Sequence, residues 1–439
     1  MATNGIRTLD EAILEQDFPF IHFFNGRILS GEDLSREQLS NREARRRLAR
    51  SIGSGVVQGL EVSLLTRQTN GEKPSLRIRQ GLAIARDGNL LNLRNDIALA
   101  LVRTAETTPL SRDVKFFEHC QPVQTGLYVA GAGLYVLTVG PAVGSQGRAP
   151  VTGLQNNEVG CNTRYTVEGV RFRLAEIPKT LFTEDELDDE AHLRNLVAYK
   201  CFGVGTSPFE QMPFRPEPTK NPSGQGELRY GLLDEMRSRK VLSDCEVPLA
   251  VVYWTAEGVK YVDNWSVRRR VVKPSVNGDW DYAFGDRRRA EAEAMVLQFQ
   301  EQLTEIVSPQ LINGKNHFRF LPPVGVLPIS NPVHSYQYKN FFERSTDNLR
   351  FFQEKVYRSP VVIEGARVGS LIEQALDFPP IDLSSNEMLW LYLLRENLQP
   401  IQNSLLSAVK PYLVFASGHL PFMGEARFDL SRWDFANYV

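Results

Sequence analysis

The chain predicts an α+β fold: two N-terminal β-rich, sandwich-like units, a central amphipathic helix and a mixed α/β C-terminal part. Three observations predict it. Short apolar runs fill positions 55–100, separated by turn signals at spacings of roughly 8–12 residues. A second β-rich stretch, 125–272, holds one helix-like insertion. At Asp286 the apolar period changes, and Ala292, Met295, Phe299, Leu303 and Ile306 recur at steps of three and four. A length of 439 residues fits roughly two to four domains. The expected divisions are an N-terminal docking domain with a basic helix (1–105), a second β-rich domain (106–275), a helical stem with an extended Pro-rich segment (276–330) and a mixed C-terminal domain (331–439).

Residues 1–22 hold a short polar helix, Leu9–Gln16, and an extended entry. Asn25-Gly26 is a tight-turn signal. Ser30 followed three positions later by Asp33 reads as a capping box, so a helix starts near Gly31 and runs to about Ser51. Its apolar positions are sparse (Leu34, Leu39, Ala44, Leu48), and Arg36, Arg42, Arg45, Arg46, Arg47 and Arg50 cover much of the rest. Such a helix buries only a narrow stripe, so its outer face meets water or a partner. Gly53 and Gly55 end it as a cap and flexible link. Strands follow at 56–57 and 60–65 around Gly59. Gln68–Pro74 is a hairpin loop, 76–80 a return strand, Asp87-Gly88 a tight turn, and Leu90–Ile97 one further strand.

In the second unit, 126–139 and 166–176 read as strands, and 141–165 as a loop rich in Gly, Asn, Thr and Pro. Asp185–Gly203 reads as a helix whose acidic start suits the positive end of its dipole. Residues 206–228 form an exposed loop, and Val247–Trp254 is the most apolar strand. Beyond the helix at 286–307, Phe318–Ile329 is an extended segment on a surface. Phe341–Phe352 reads as helix, 360–366 as strand and 368–375 as helix; 388–399 fits either strand or helix.

The chemistry-bearing residues form no recognised constellation. The six histidines include no pair at the spacing of a helical metal site. His119-Cys120 are sequence neighbours, which is not the spatial pairing a nucleophile needs. Ile52-Gly53-Ser54-Gly55 follows a helix and precedes a strand, the reverse of a nucleophile elbow. The acids between Glu184 and Glu190 lack the ligand order of a calcium loop. Catalytic, cofactor and metal residues are therefore expected to be absent. Four cysteines about 40 residues apart predict buried free thiols. A formal net charge of −2 argues against a whole-chain affinity for nucleic acid or anionic membrane. No run of about 18 apolar residues and no signal peptide stands in the sequence, so a cytoplasmic protein is expected.

Several segments resemble proteins encoded beside phage-tail-like contractile injection systems. They are Phe24-Asn25-Gly26-Arg27, Leu29, Asp33-Leu34 and Gln38; Gly55-Val56-Val57 and Gly59-Leu60-Glu61-Val62; and Gly81-Leu82-Ala83-Ile84 with Gly88. Glu246–Trp254, Val267-Arg268-Arg269-Arg270 and Phe320–Gly325 are similar to later parts of the same proteins. The N-terminal order also resembles, more loosely, the shell domain of the type VI secretion baseplate subunit related to phage receptor-binding proteins. That family's Pro-Gln-His-Phe is replaced here by Ser30-Gly31-Glu32-Asp33-Leu34. The resemblance implies a non-enzymatic structural subunit at or around a baseplate, without cofactor. It would be homo-oligomeric and in contact with baseplate, sheath or spike proteins, without nucleic acid or direct membrane insertion. Asn25, Gly26, Arg27, Gly55 and Gly59 then form the structural motif. Arg42, Arg46 and Arg50 are candidate interface residues toward an acidic partner, with solvated or intrachain-paired arginines the equal alternative. Phe299 and Leu303 are candidates for a helix–helix seam, with packing on the chain's own sheet the equal alternative. Trp433, Phe435 and Tyr438 suggest a receptor- or glycan-binding module as the alternative function; a stand-alone hydrolase has only generic polar loops behind it.

Overall fold

The computed structural model of the chain describes residues 20–66, 74–101, 114–115, 133–151, 160–202, 231–255, 257–273, 286–306, 313–328, 341–342, 350–351, 355–356, 361–384, 389–394, 412–418 and 420. Its helices and largely antiparallel sheets make an α+β fold with a strand-rich N-terminal region.

After helix α1 (Gly31–Ile52) come six short strands, β1 (Gly55–Gly59), β2 (Val62–Thr66), β3 (Ser75–Ile78), β4 (Gly81–Ile84), β5 (Leu90–Leu93) and β6 (Ile97–Ala100). They are three antiparallel passes of chain, each broken in the middle. One half of each pass forms the sheet β1-β4-β5, and the other half forms β2-β3-β6. At the first break Gly59 has φ +62°, and a Cβ there would lie 1.9 Å from the Gln80 carbonyl oxygen. Only glycine fits so close a backbone approach. The third break splits the strand expected over Leu90–Ile97. Asp96 causes it: its carboxylate accepts from Arg77 Nη2 at 2.8 Å and from the Gln80 backbone N–H at 2.9 Å, which turns the chain out of the first sheet.

The second sheet contains β7 (Val114–Lys115), β8 (Gly133–Val151), β9 (Gly160–Glu176), β10 (Val247–Thr255) and β11 (Gly258–Asp263). The order is β11-β10-β8-β7, with β9 on the other edge of β8. Leu137, Val139, Leu249 and Val252 on one face share a core with Leu60, Leu76 and Leu91, so the two β-rich units are packed as one. Val136 and Val251 on the other face pack under α3 (Glu190–Cys201), within the expected helix at 185–203, and under α4 (Gly231–Ser238), which the sequence reading did not include. A short helix α2 (Glu184–Asp188) precedes α3, and Asp189 between them caps α3 through the His192 N–H. Of the loop expected at 141–165, residues 141–151 and 160–165 instead belong to a long ribbon, with β8 and β9 in continuous register from Tyr135↔Glu176 to Val151↔Gly160; residues 152–159 lie outside the described residues. Cross-strand pairing overrides the poor strand propensity of Gly and Pro here. Pro141 and Pro150 both lie beyond Val139, where the β10 ladder ends, so their missing N–H groups take no bond from that strand.

Helix α5 (Asp286–Glu305) is the expected amphipathic helix. Beyond it lie β12 (Phe320–Leu321), β13 (Val324–Pro328), β14 (Arg350–Phe351), β15 (Lys355–Val356), β16 (Val361–Ile363), α6 (Val368–Ala375), β17 (Ile381–Asp382), β18 (Leu389–Leu394) and β19 (Tyr412–Ser417). The C-terminal sheet has the order β13-β19-β18-β16, with β16 parallel to β18 across the α6 crossover. Phe318–Pro328, expected on a surface, is built into this unit: Phe318 and Leu321 are fully buried and β13 pairs with β19. Of the helix expected over Phe341–Phe352, Arg350 and Phe351 form a strand with β15. Residues 1–19, 67–73, 119–120, 203–230 and the aromatic tail 421–439 lie outside the described residues.

Two cysteine readings part company. Cys201 is a buried free thiol. Cys245 is disulfide-bonded, against expectation, to a cysteine whose side chain lies outside the described residues. Spacing along the chain says nothing of distance in the fold.

Candidate docking face on the N-terminal helix

The segment before α1 is built from local hydrogen bonds. Gly26, at φ +90°, closes a turn in which the Arg27 N–H donates to the Phe24 carbonyl at 3.2 Å. Arg27 then reaches in both directions, donating to the His22 carbonyl at 2.7 Å and to Asp33 Oδ1 at 3.0 Å. Asp33 also accepts from the Ser30 backbone and hydroxyl while Ser30 Oγ accepts from the Asp33 N–H, completing the expected capping box. The Ser30 backbone N–H, then its hydroxyl and Arg27, hold the Asp33 carboxyl below the usual carboxylate range. Asn25, Gly26 and Arg27 therefore aim the helix.

At its other end the helix meets two close backbone approaches. Gly53 caps it, and a Cβ there would lie 2.1 Å from the Val272 carbonyl oxygen; at Gly55 it would lie 2.4 Å from that of Arg270. Ser54 and Val272 exchange hydrogen bonds at 3.0 Å in both directions. Gly53 is the expected cap; where the sequence suggested a flexible link beyond it, glycine is needed for contact with 269–272.

The contact face of α1 is polar. Asp33, Glu37, Ser40, Glu43, Arg46 and Ala49, at steps of four and three, are the covered or half-covered positions, with Arg42 beside them. Arg46 donates to Asp87 Oδ2 at 3.0 Å, and Arg42 pairs with Glu168 at 3.1 Å. Gly88 abuts the helix so closely that a Cβ would lie 2.2 Å from the Arg46 carbonyl oxygen. Of the two readings open for Arg42 and Arg46, a partner or intrachain pairing, the structure shows the intrachain pairs, which hold the helix to its own chain. Arg50 pairs with Glu43 at 2.7 Å along the helix and remains half exposed. The charge count could not separate arginines that fasten the helix from those that face outward.

The opposite face carries the signal that the sequence reading passed over. Leu34, Gln38, Asn41, Arg45, Leu48 and Ile52, at steps of 4-3-4-3-4, are all exposed. Leu34 is 51% exposed, Leu48 64% and Ile52 52%. The lead-in adds Phe20, Phe23, Phe24, Leu29 and Ile28, the last 91% exposed. Ten of the fifteen large apolar residues exposed among the described residues fall between Phe20 and Val57, so exposed apolar surface is concentrated here. The exposed charges of α1 are Arg36, Arg45, Arg47 and Arg50 against the single acid Glu32.

The other sequence candidates lie inside the molecule. Phe299 and Leu303 are buried among Phe318, Phe341, Phe342 and Phe415, on the C-terminal sheet side of α5. They make no free helix–helix seam; the contact of α5 with helix α3 uses Ala294 and Met295 instead. The second basic cluster is spent on intrachain pairs. Arg268 donates to the Gly59 carbonyl, Arg269 binds Glu291 at 2.5 Å, and Arg270 binds Asp286 at 2.8 Å and Glu293 at 2.7 Å. Burial pushes the Cys201 thiol well above its ordinary range, which makes it a poor nucleophile. Among the described residues, no three His, Cys, Asp or Glu side chains are grouped to hold a metal ion, and no helix is long and apolar enough to cross a membrane. No protein-family model matches the chain, and no curated protein matches it significantly.

Proposed function

We propose that the chain is a non-enzymatic structural subunit of a multi-protein particle, docking onto an acidic neighbour through the outer face of α1 and the aromatic lead-in. One observation carries this reading: α1 turns its polar edge to its own chain and its leucines to solvent. A helix folding only for itself does the reverse. The segments named above as similar to contractile-injection proteins favour a phage-tail-like contractile particle, at or around its baseplate. The arginine-rich, acid-poor outer face suits an acidic partner, since guanidinium groups pair bidentately with carboxylates. The disulfide at Cys245 suits a chain that works under oxidising conditions, as in a released particle.

The test is negative-stain microscopy of particles from cells carrying wild-type chain, no chain, or the Leu34→Glu/Leu48→Glu variant. Loss of assembled or contracting particles without the chain is expected. The variant should be soluble and folded yet missing from particles. Normal particles in the strain lacking the chain would overturn the particle assignment; normal incorporation of the variant would overturn the docking face.

A further inference from the structure

The distal half of the β8–β9 ribbon stands clear of both cores. Residues 162–169 of β9 are all exposed on both faces, and opposite them β8 is exposed from Ser145 to Arg148. A two-stranded ribbon with no core beneath it is marginal in water. The two outer edges of this ribbon differ. The edge of β8 is occupied at Val143 and Gly144 by β7 and blunted further out by Pro150. The edge of β9 has no strand partner among the described residues, and its run Thr163-Arg164-Tyr165-Thr166-Val167-Glu168 contains neither Pro nor Gly. Such an unguarded edge is a template for strand addition.

We infer that β9 pairs with β9 of a second copy of this chain, antiparallel about Thr166, to form a continuous four-stranded sheet. The side chains select this partner. Antiparallel pairing about Thr166 sets Arg164 opposite Glu168 of the partner subunit, Tyr165 opposite Val167 of the partner subunit, and Thr166 on the axis opposite its own counterpart. Each of the first two pairs occurs twice. Opposite charges, an aromatic against a β-branched residue, and Thr against Thr are the cross-strand pairs that stabilise a sheet. Among the described residues Arg164 has no acid to pair with; its guanidinium lies 5.0 Å from the centre of the neighbouring Tyr165 ring. Glu168 pairs with Arg42 through Oε1 at 3.1 Å, and its side chain remains 67% exposed. Tyr165 is 53% exposed and Val167 44% in the single chain.

Sedimentation velocity of the full chain tests this without reference to any particle. Wild type should dimerise reversibly. Arg164→Glu sets like charges opposite each other twice and should weaken the dimer by roughly 30-fold; Glu168→Arg should do the same. The double variant restores both pairs with sign reversed and should return the dimer. Glu168→Arg also removes the tie to Arg42, in the single and double variants alike, so rescue by the double variant cannot come from that tie. Unchanged circular dichroism shows that each variant is folded. A monomeric wild type at every concentration, or a dimer indifferent to the single swaps, would overturn the inference. So would a double variant no better than the singles. Either result leaves the docking face of α1 to be judged on its own test.

Discussion

The two long helices, α1 with 22 residues and α5 with 20, answer the same composition in opposite ways. Both are rich in charge and both carry scattered leucines. α5 spends most of its surface inside the molecule, with Leu297 its one large apolar residue left exposed. One side takes Asn264 onto Glu301, Arg269 onto Glu291 and Arg270 onto Glu293 and Asp286, and Gln298 Nε2 donates to Asp263 at 2.9 Å. Arg194 from α3 bridges Asp263 and Glu305. The other side drives Phe299 and Leu303 into the C-terminal sheet. α5 is thus the spine that joins the β-rich half to the C-terminal half. α1 fastens through a few polar contacts and leaves its apolar residues outside. A helix whose apolar side chains are buried is explained by its own fold, whereas one whose apolar side chains are bare needs something else to explain it.

The sharpest contrast comes from one truncation on each helix. Phe299→Ala empties a cluster of five aromatic rings and should cost about 3–5 kcal/mol. Leu48→Ala, on the outer face of α1, should change stability by no more than about 0.5 kcal/mol. Thermal unfolding of the full chain reads both, and a Leu48→Ala loss as large as that of Phe299→Ala would mean the leucine face is covered by its own chain.

Next comes the polar side of the spine. Arg269 and Glu291 have side chains 11% and 8% exposed, and Arg269 also donates to the carbonyls of Trp265, Ser266 and Cys201. Arg269→Met leaves the buried Glu291 carboxylate with only the longer 3.9 Å contact to Arg287 and takes the donor from those three carbonyls. Breaking such a pair from one side costs roughly 3 kcal/mol, and chemical denaturation should show it. A neutral result would reduce the arginine staple to ordinary packing.

The attachment of α1 is expected to be weaker and separable from the rest. Gly88→Ala forces a Cβ against the Arg46 carbonyl oxygen at a residue with φ +85°. The strain should be about 1–3 kcal/mol and should fall on the helix contact. Hydrogen exchange in α1 should accelerate while exchange in β10 stays slow. Equal acceleration in both would mean that α1 and the β-rich core open as one unit.

These contrasts also explain what the sequence could convey. Helix α1 was legible almost to the residue because Ser30 and Asp33 are a local capping signal. Helix α5 was legible because its apolar period is strong. The ribbon strands at 141–151 and 160–165 were not, since their register comes from a partner strand and the Gly, Pro and Asn composition argues the other way. The distinction between Arg42 and Arg45 was equally hidden. It depends on Asp87, Gly88 and Glu168, which lie about 40 and 120 residues away and meet α1 only in the fold. Phe299 and Leu303 could face any surface from their spacing alone; the phenylalanines at 318, 341, 342 and 415 decide which.

The smallest effect lies at the polar seam of the spine. One oxygen of Glu301 meets Asn264 Nδ2 at 3.4 Å, and the other is buried with no hydrogen-bond partner. Burial, then the charge of Asp263, pushes the Glu301 carboxyl above its ordinary range; Arg194 and Asn264 oppose the shift, and Glu305 adds to it. Arg268 also faces this seam, and burial lowers its own affinity for a proton. A carboxyl raised in the folded state contributes stability fully below its unfolded value, and the contribution is lost as pH rises through the folded value. At neutral pH the ionised Glu301 is therefore a cost, and Glu301→Gln removes it. The variant should match wild type near pH 4 and unfold about 1–2 °C higher at pH 7. A variant that is less stable at pH 7 would show that the carboxylate is paired there, with Arg268 as the partner to test next.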